Sequence, residues 1–374
     1  MALTSARRFV PLDVFRGLTI FLMIIVNTPG AGAEPFPSLL HAEWHGCTLT
    51  DLVFPSFLFA VGASMPFVLK KWETLSAPVV WFKILKRSTL IFVLGILLTW
   101  YTSMYWSNGG ISFPSISGLR IMAVLQRIAL CYLLAAIIVR WSSDRTVVIV
   151  SLLLLVAYWI ILYLFGDPGQ QYTITGNAVR KLDLLVIGEK HMYRERGVSF
   201  DPEGLLSTLP ATANVLAGYL TTRFMIRQRE GISTVALLLI AGNLLVLVAL
   251  FWNYVLPFNK KLWTSSFVVF ATGIDVITTA VLFYSLEVRS WKKGVYFFLV
   301  FGRNPLFLYV LSNLFLVFFI LPVQDTNFHE WINRVFFQQV APGAVGSLLF
   351  ALVFTAICWL VGWIMDKRKI YVRL

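Results

Sequence analysis

The chain contains ten apolar runs, each close to the roughly 20 residues that a helix needs to cross about 30 Å of hydrocarbon. Of its 374 residues 58% are hydrophobic and only 13% are charged, whereas soluble proteins are about a quarter charged. Because lipid leaves every backbone polar group to be satisfied internally, we expect an all-α, polytopic integral membrane protein. The predicted spans are residues 12–30, 50–69, 84–103, 118–139, 146–165, 205–224, 233–254, 264–286, 296–321 and 345–365.

The basic residues orient these spans. The net charge is +13, which in a soluble protein would suggest nucleic-acid binding but here follows the positive-inside rule. If both termini are cytoplasmic, the cytoplasmic connections hold Arg7, Arg8, Lys70, Lys71, Lys83, Lys86, Arg87, Arg140, Arg145, Arg223, Arg227, Arg229, Arg289, Lys292, Lys293, Lys367, Arg368, Lys369 and Arg373. The outer connections hold about half as many: Arg120, Arg180, Lys181, Lys190, Arg194, Arg196, Lys260, Lys261 and Arg334. We therefore predict cytoplasmic termini and no nucleic-acid partner.

We expect residues 1–374 to form a single transmembrane domain with outer-side loops at about 28–49, 166–204 and 322–344. The middle loop is long enough to form an ordered cap over the spans. The first 33 residues superficially resemble a cleavable signal peptide. Asp13, Arg16 and Asn27 interrupt its apolar region, however, and favour a retained span. Three separated cysteines and four histidines without metal-ligand spacing predict neither a disulfide nor a metal site.

Polar residues inside apolar spans mark functional interiors, because a charge at bilayer depth is costly unless it is paired or faces a cavity. Asp13 and Arg16 lie three residues apart, as an interfacial pair or the lining of a cytoplasmic vestibule. Gln126 and Arg127 are predicted a third to halfway along the fourth span, where they line a cavity, bind an anion or pair with Asp275. The Arg303-Asn304-Pro305 segment either breaks the ninth span or starts it.

The segment between the first two spans concentrates groups with acid–base chemistry: Asn27, His41, His45 and Asp51. Thr48 or Thr50 could cap the second span, with Asp51 favouring its N-terminus. Histidine titrates near neutrality and suits general-base work. These residues alone indicate a cavity with an acid–base group and leave an enzyme and a transporter equally open.

Eight motifs in order across the chain give a more specific indication. They are Leu12–Gly17, Val26–Asn27, His41–Gly46, Asp51–Phe57, Arg120–Arg127, Phe200–Leu206, Asn259–Thr264 and Asn304–Tyr309. With them the chain resembles the heparan-α-glucosaminide N-acetyltransferase family of transmembrane acyltransferases, in a short bacterial form without a luminal N-terminal domain. The chain also departs from the lysosomal enzymes at His45, where those carry Asn, and at Arg303, which leaves the identity of the acceptor open.

The resemblance implies transfer of acetyl from cytoplasmic acetyl-CoA, as co-substrate, to the amine of a glucosamine-type sugar or glycan terminus beyond a bacterial inner membrane. The family's essential histidine falls on His41, its functional asparagine on Asn27 and its carboxylate on Asp51. We expect His41 to act as base or as an acetylated intermediate, Asp51 to orient it and Asn27 to stabilise the oxyanion. Members are often dimers, so a homodimer is expected.

The remaining site predictions concern the two substrates. The residues expected to bind acetyl-CoA are Arg16, Gln126, Arg127, Arg303, Asn304 and Tyr309. Those expected to bind the acceptor are Trp44, His45, Asp201, Glu203 and Trp263, with helix capping as the alternative role of Asp201 and Glu203. Two other functions stay open: O-acetylation of a polysaccharide, and amino-sugar transport without chemistry.

Overall fold

The computed structural model describes residues 9–228 and 231–372, which are mainly helical. The helices are α1 (Val10–Asn27), α2 (Leu49–Trp72), α3 (Ala77–Thr102), α4 (Val124–Trp141), α5 (Asp144–Phe165), α6 (Ala178–Val186), α7 (Thr208–Arg227), α8 (Gly231–Trp252), α9 (Ser265–Phe283), α10 (Val295–Arg303), α11 (Pro305–Leu314), α12 (Leu316–Phe319), α13 (Phe328–Ile332), α14 (Gln338–Val340) and α15 (Ala344–Lys367). Single 3₁₀ turns cover Pro37–Leu39, Ile116–Gly118 and Glu189–His191, and π turns cover Tyr284–Val288 and Asn333–Phe337.

The strands are confined to three small antiparallel hairpins in the connections. They are β1 (Tyr105–Ser107) with β2 (Gly110–Ser112), β3 (Arg194–Glu195) with β4 (Val198–Ser199), and β5 (Pro322–Val323) with β6 (Thr326–Asn327). The hairpin at 105–112 was not predicted, because its short strands lie beside an apolar run and carry no distinct alternation of their own. The predicted all-α class therefore holds for the bundle, with strands only at its ends.

Each of the ten predicted spans coincides with a helix or a broken helix. Among the described residues, seven helices are long and apolar enough to cross a membrane: α1, α2, α4, α5, α8, α9 with its extension to Val288, and α15. An eighth candidate is the pair formed by Val295–Arg303 and Pro305–Phe319, bent by 80° at Asn304. The predicted break at Asn304-Pro305 is thus confirmed.

The other two predicted spans coincide with α3 and α7, which are 26 and 20 residues long. Both helices are long enough to cross a membrane, but neither is apolar enough to count among the candidate spans. Helix α3 carries three basic residues in its first half, and α7 carries Thr212, Asn214 and Thr222 in buried positions. Because α7 packs against α2, α4, α5 and α9, protein rather than lipid surrounds its polar groups. The count of ten spans and the cytoplasmic termini stay predictions, and Arg7, Arg8, Arg229 and Arg373 lie outside the described residues.

Two glycines bring α2 and α7 into direct backbone contact. A Cβ atom added to Gly62 would lie 1.7 Å from the carbonyl oxygen of Val215, and one added to Gly218 would lie 2.0 Å from that of Phe59. Small residues that let helix backbones approach closely are the usual device of membrane-helix association. Helix α2 is therefore held rigidly in the centre of the bundle.

The connection over residues 166–204 is ordered and packs onto the bundle, as predicted for a cap. Phe200 and Val179 are fully buried against Tyr158 and Leu162 of α5 and against Leu262. Helix α5 ends at Phe165, and the connection from Asn27 to Leu49 lies at the same end of the bundle. The connections that follow α1 and α5 therefore meet there with the one that carries Leu262. We call this end of the bundle, which carries His41, the His41 end.

Candidate active site

A histidine and a carboxylate form a hydrogen-bonded pair at the His41 end. His41 Nδ1 lies 2.6 Å from Asp51 Oδ1. Asp51 is 1% exposed, whereas the His41 side chain is 44% exposed. The structure thus combines a buried carboxylate with an imidazole that a substrate can reach.

Asp51 is fixed by its place in the first turn of α2. Its second oxygen, Oδ2, accepts hydrogen bonds from the backbone N–H of Thr48 at 2.9 Å and of Ala42 at 3.1 Å. The Thr48 hydroxyl lies 3.1 Å from the same oxygen. The two predicted roles of Asp51, helix capping and orientation of His41, are therefore carried by its two different oxygens.

This arrangement determines which ring nitrogen of His41 is reactive. An ionised carboxylate only accepts hydrogen bonds, so the neutral imidazole carries its proton on Nδ1 and its lone pair on Nε2. Within residues 9–228 and 231–372, no protein group forms a hydrogen bond with Nε2. The pair is therefore arranged to take a proton, or to attack as a nucleophile, through Nε2.

Asn27 is the last residue of α1 and begins the connection that leads to His41. Its side chain is exposed, and no hydrogen bond joins it to His41 in the described chain. Asn27 lies at the His41 end because α1 ends and α2 begins at this end of the bundle. Its role as an oxyanion donor stays a prediction.

Trp44 and His45 belong to a loop that is held in place by contacts with two other connections. Trp44 Nε1 donates to the carbonyl oxygen of Tyr172 at 2.7 Å, and its ring packs edge-on against Phe200. His45 Nδ1 lies 3.5 Å from the Asn259 amide nitrogen. Burial lowers the pKa of His45, so its ring is neutral at pH 7. The structure thus brings both residues next to the His41 loop, while acceptor binding by them stays a prediction.

Asp201 and Glu203 are bound by Arg120. The guanidinium of Arg120 donates to both oxygens of Asp201, at 2.9 and 2.7 Å, and to Glu203 at 2.6 Å. Lys260 lies 3.8 Å from the other oxygen of Glu203. Burial alone would raise the pKa of Glu203, but Lys260 and Arg120 outweigh burial and hold its pKa below its usual range.

The capping alternative for these carboxylates is wrong, because α7 begins only at Thr208. Both carboxylates are almost completely buried, at 0% and 6% exposure, and are neutralised by protein cations. They are therefore less suited to bind a sugar directly than the sequence suggested. Arg120, predicted as an outer-loop residue and as part of a family motif, was not predicted to pair with these carboxylates.

Gln126 and Arg127 are not deep in a membrane span. Helix α4 begins at Val124, so both residues lie in its first turn, and the predicted depth is wrong. The preceding residues Ile121 and Met122 are apolar but non-helical, which made the span seem to start earlier.

Arg127 is fully buried and contacts the connection that precedes α7. It donates to the carbonyl oxygen of Gly204 at 3.0 Å and to the hydroxyl of Ser207, and its guanidinium lies 4.9 Å above the Trp263 ring. Trp263, also fully buried, donates to Asn214 at 3.0 Å. The proposed pairing of Arg127 with Asp275 is wrong, because Asp275 instead contacts Ser56 at 2.5 Å.

At the opposite end of the bundle lies a cavity of about 1940 Å³. Its wall includes the start of α1 and the end of α2, whereas His41 lies beyond the other ends of these helices. Among the described residues, six basic side chains and two acidic ones, Asp13 and Glu287, line it; the basic ones are Arg16, Lys70, Lys71, Arg87, Lys292 and Arg303. The deeper wall, formed by residues such as Phe57, Ile91 and Ile128, is apolar.

The residues predicted to bind acetyl-CoA divide between this cavity and the packed protein around it. Arg16 and Arg303 line the cavity, paired with Asp13 and Asp366. Asn304 is buried and holds the C-terminal segment, accepting from Val372 N–H and donating to the Ile370 carbonyl oxygen at 3.0 Å each. The other predicted donor-site residues do not appear in the cavity wall: Gln126, Arg127, Asn304 and Tyr309. Neither do His41 and Asn27, so protein separates the cavity from the His41–Asp51 pair.

Comparison with known proteins identifies the family of the chain. The profile of the family described as "Heparan-alpha-glucosaminide N-acetyltransferase, catalytic" matches residues 8–249. The heparan-alpha-glucosaminide N-acetyltransferases of Mus musculus and Homo sapiens are 24% and 25% identical to this chain. The alignments take in 99% and 97% of this chain but 61% and 59% of those proteins, so the chain spans about three fifths of the length of the curated relatives it matches. Because the profile covers more than half of the chain, the protein belongs to the catalytic-domain family of heparan-alpha-glucosaminide N-acetyltransferase.

Proposed function

We propose that this protein is a transmembrane N-acetyltransferase. It moves acetyl from cytoplasmic acetyl-CoA to the amine of a glucosamine-type sugar on the outer side of a bacterial inner membrane. The observation that carries the proposal is the His41–Asp51 pair at one end of the bundle, together with the large basic cavity at the other. Family membership supports the reaction class.

The cavity suits the donor. Its volume of about 1940 Å³ exceeds the roughly 300–1,000 Å³ of ordinary small-molecule pockets. Basic side chains at its rim complement a polyanionic nucleotide, and the apolar inner wall suits the thin pantetheine arm. In this proposal the nucleotide stays near Lys70 and Lys71, and the thioester extends between the helices towards His41. Because Gln126, Arg127 and Asn304 are buried and absent from the cavity wall, we assign them to support of the walls rather than to direct donor contact.

The His41–Asp51 pair suits the transfer step. The sugar enters as an ammonium with three protons on nitrogen and leaves as an amide with one. Nε2 of His41 takes one proton as the C–N bond forms, and that proton passes to the thiolate sulfur as the C–S bond breaks. The other proton is released to solvent before the attack, because an ammonium nitrogen has no lone pair with which to form the C–N bond. Asp51 stabilises the imidazolium that exists between these events, and in this proposal Asn27, at the end of α1, donates to the thioester oxygen.

The same geometry also supports a two-step route, in which Nε2 attacks the thioester and His41 carries the acetyl group to the amine. Rapid-quench trapping with radiolabelled acetyl-CoA alone distinguishes the two routes. A labelled protein that decays on addition of glucosamine supports the two-step route. An unlabelled protein with ternary-complex kinetics supports direct transfer.

The function is tested with purified protein in liposomes, with acetyl-CoA on one side and glucosamine or a polysaccharide on the other. The proposal expects N-acetylglucosamine on the side opposite the donor. An O-acetyl product would identify a polysaccharide O-acetyltransferase instead, and uptake of unmodified sugar would identify a transporter; either result overturns the proposal. The expected homodimer is tested by the mass of the detergent-solubilised protein.

A further inference from the structure

Arg87 differs from the other two arginines that line the cavity. Arg16 is paired with Asp13, and Arg303 donates to both oxygens of Asp366 at 2.7 Å. Arg87, on α3, forms no ion pair with any carboxylate of the described residues, although its Nε is buried without a hydrogen-bond partner just as those of Arg16 and Arg303 are. Of the three cavity arginines in the described chain, two are therefore neutralised by carboxylates and Arg87 is not.

The position of Arg87 is nevertheless fixed. Its guanidinium carbon lies 4.9 Å from the centroid of the Tyr132 ring, and Tyr132 is itself buried in α4 and lines the same cavity. A planar guanidinium stacks well on an aromatic face, and this leaves its N–H donors directed to the sides. The ring thus holds Arg87 in place without neutralising its charge.

Further positive charge lies on the same wall. Lys70 and Lys71, at the end of α2, line the cavity and are exposed, and neither forms an ion pair with a described residue. The two acidic residues of the wall are Asp13, which Arg16 neutralises, and Glu287 beyond α9. Within the described chain, the wall around α2 and α3 therefore carries unbalanced positive charge.

We propose that Arg87, supported by Tyr132 and joined by Lys70 and Lys71, forms the subsite that binds phosphate groups of the donor nucleotide. A guanidinium with free donors binds phosphate in a bidentate, charge-assisted manner. The inference rests on the proposed function, because it assumes that the cavity receives a CoA thioester. It adds a specificity element: Arg87 recognises the nucleotide and takes no part in the transfer.

The test compares Arg87→Gln with wild-type protein, using acetyl-CoA, acetyl-dephospho-CoA and S-acetylpantetheine as donors. With acetyl-CoA, we expect the substitution to raise KM about ten-fold to a hundred-fold and to change kcat little. With S-acetylpantetheine, which has no phosphate, the wild type and the variant should have equal KM values. The dephospho donor shows whether the 3′-phosphate or the diphosphate contacts Arg87.

Lys83→Gln is the matched control, because Lys83 lies one turn earlier on α3, is exposed and is absent from the cavity wall. It removes the same charge from the same helix and should leave KM for acetyl-CoA unchanged. Arg87→Lys keeps the charge and should fold even where Arg87→Gln does not, with a smaller rise in KM.

Two kinetic results with the variant overturn the subsite, and a lipid comparison can give a third. One is an unchanged KM for acetyl-CoA in Arg87→Gln; the other is an equal loss with S-acetylpantetheine, which would indicate a structural role. Repeating the assay in phosphatidylcholine vesicles and in phosphatidylglycerol vesicles distinguishes binding of a lipid phosphate from binding of the donor's phosphate. A rise in KM that occurs only in the anionic lipid contradicts the proposal. Calorimetric binding of CoA and pantetheine provides a readout independent of transfer. If wild-type protein binds CoA through Arg87 but forms no N-acetyl product, the proposed function fails and the subsite stands.

Discussion

At the His41 end, the carboxylates of Asp51, Asp201 and Glu203 are paired with other protein groups, whereas several basic side chains of the cavity have no carboxylate partner among the described residues. Asp51 accepts hydrogen bonds from His41, Thr48 and Ala42, and Arg120 is shared between two buried carboxylates. In the cavity, Lys70, Lys71 and Arg87 face open space without carboxylate partners among the described residues.

This difference matches two different tasks. A reacting group must be held in one geometry before the substrate arrives, because positioning and preorganised electrostatics supply much of catalysis. A site that binds a large polyanion needs positive charge that the protein has not already neutralised. Helix α2 links the two regions, since its first turn holds Asp51 and its last turn holds Lys70 and Lys71.

The largest expected effect is that of His41→Ala. Removal of the base should lower kcat by about 10⁴-fold or more, because positioned acid–base groups commonly contribute 10²–10⁴ and His41 is also the candidate nucleophile. Binding of CoA, measured by calorimetry, should not change, since His41 is not part of the cavity wall. His191→Gln is the control, as its ring contacts the Leu119 carbonyl oxygen away from the pair. Near-normal activity of His41→Ala would refute the assignment.

Asp51→Asn should lower kcat by about 10³-fold while leaving the fold intact. Asp51 Oδ2 accepts two backbone N–H groups, so the amide oxygen of the asparagine must take that position. Its NH₂ group then faces Nδ1 of His41 and forces the ring proton onto Nε2, which loses its lone pair. The measurement is the pH–rate profile together with the melting temperature. A loss of less than ten-fold would mean that Asp51 serves α2 as a cap and does not orient His41.

Arg120→Gln tests whether the polar cluster at the His41 end supports the acceptor site or only the fold. Loss of the cation leaves Asp201 and Glu203 buried without their main partner, which should cost about 3–5 kcal/mol of stability. We also expect a higher KM for the sugar and an unchanged affinity for CoA. Arg334→Gln, which removes an exposed pair with Asp325 at 4.0 Å, should change stability by less than about 1 kcal/mol. An equal loss of sugar and CoA binding would contradict the separation of the two regions.

Much of the helical framework was predictable from the sequence. Long apolar runs have few alternatives in lipid, so each predicted span coincides with a helix or broken helix, and Pro305 breaks the ninth where it removes a backbone donor. The proximity of His41 and Asp51 was also predictable in part. A carboxylate in the first turn of a helix can reach back only to the short segment before it, and His41 lies in that segment.

The partners of the buried charges were not predictable. Arg120 and Asp201 are 81 positions apart, and no local pattern shows which cation will meet which carboxylate. Arg127 was placed too deep because an apolar but extended segment precedes α4. Arg87 was counted only among the orienting charges, since its lack of a carboxylate partner becomes visible only when every neighbour is known.

The smallest expected effect is a pH dependence of stability that arises from Asp183 and is confined to the His41 end. This carboxylate of α6 is fully buried; Oδ1 accepts from Leu205 N–H at 2.9 Å, and Oδ2 has no partner in the described chain. Burial raises the pKa of Asp183 to about 7, so the folded protein favours the protonated form. The stability gained from that preference is fully present below the ordinary pKa near 4 and is lost as the pH rises to 7.

Asp183→Asn imitates the protonated acid, so the melting temperature of wild type minus that of the variant should fall by about 3 °C or more between pH 4 and pH 7 and then level off. The exposed control Asp325→Asn should show no such fall, and CoA binding should not follow this titration. A constant difference across the range would mean that Asp183 is ionised in the folded protein and that the His41 end tolerates an unpaired buried carboxylate, against the contrast between the two regions.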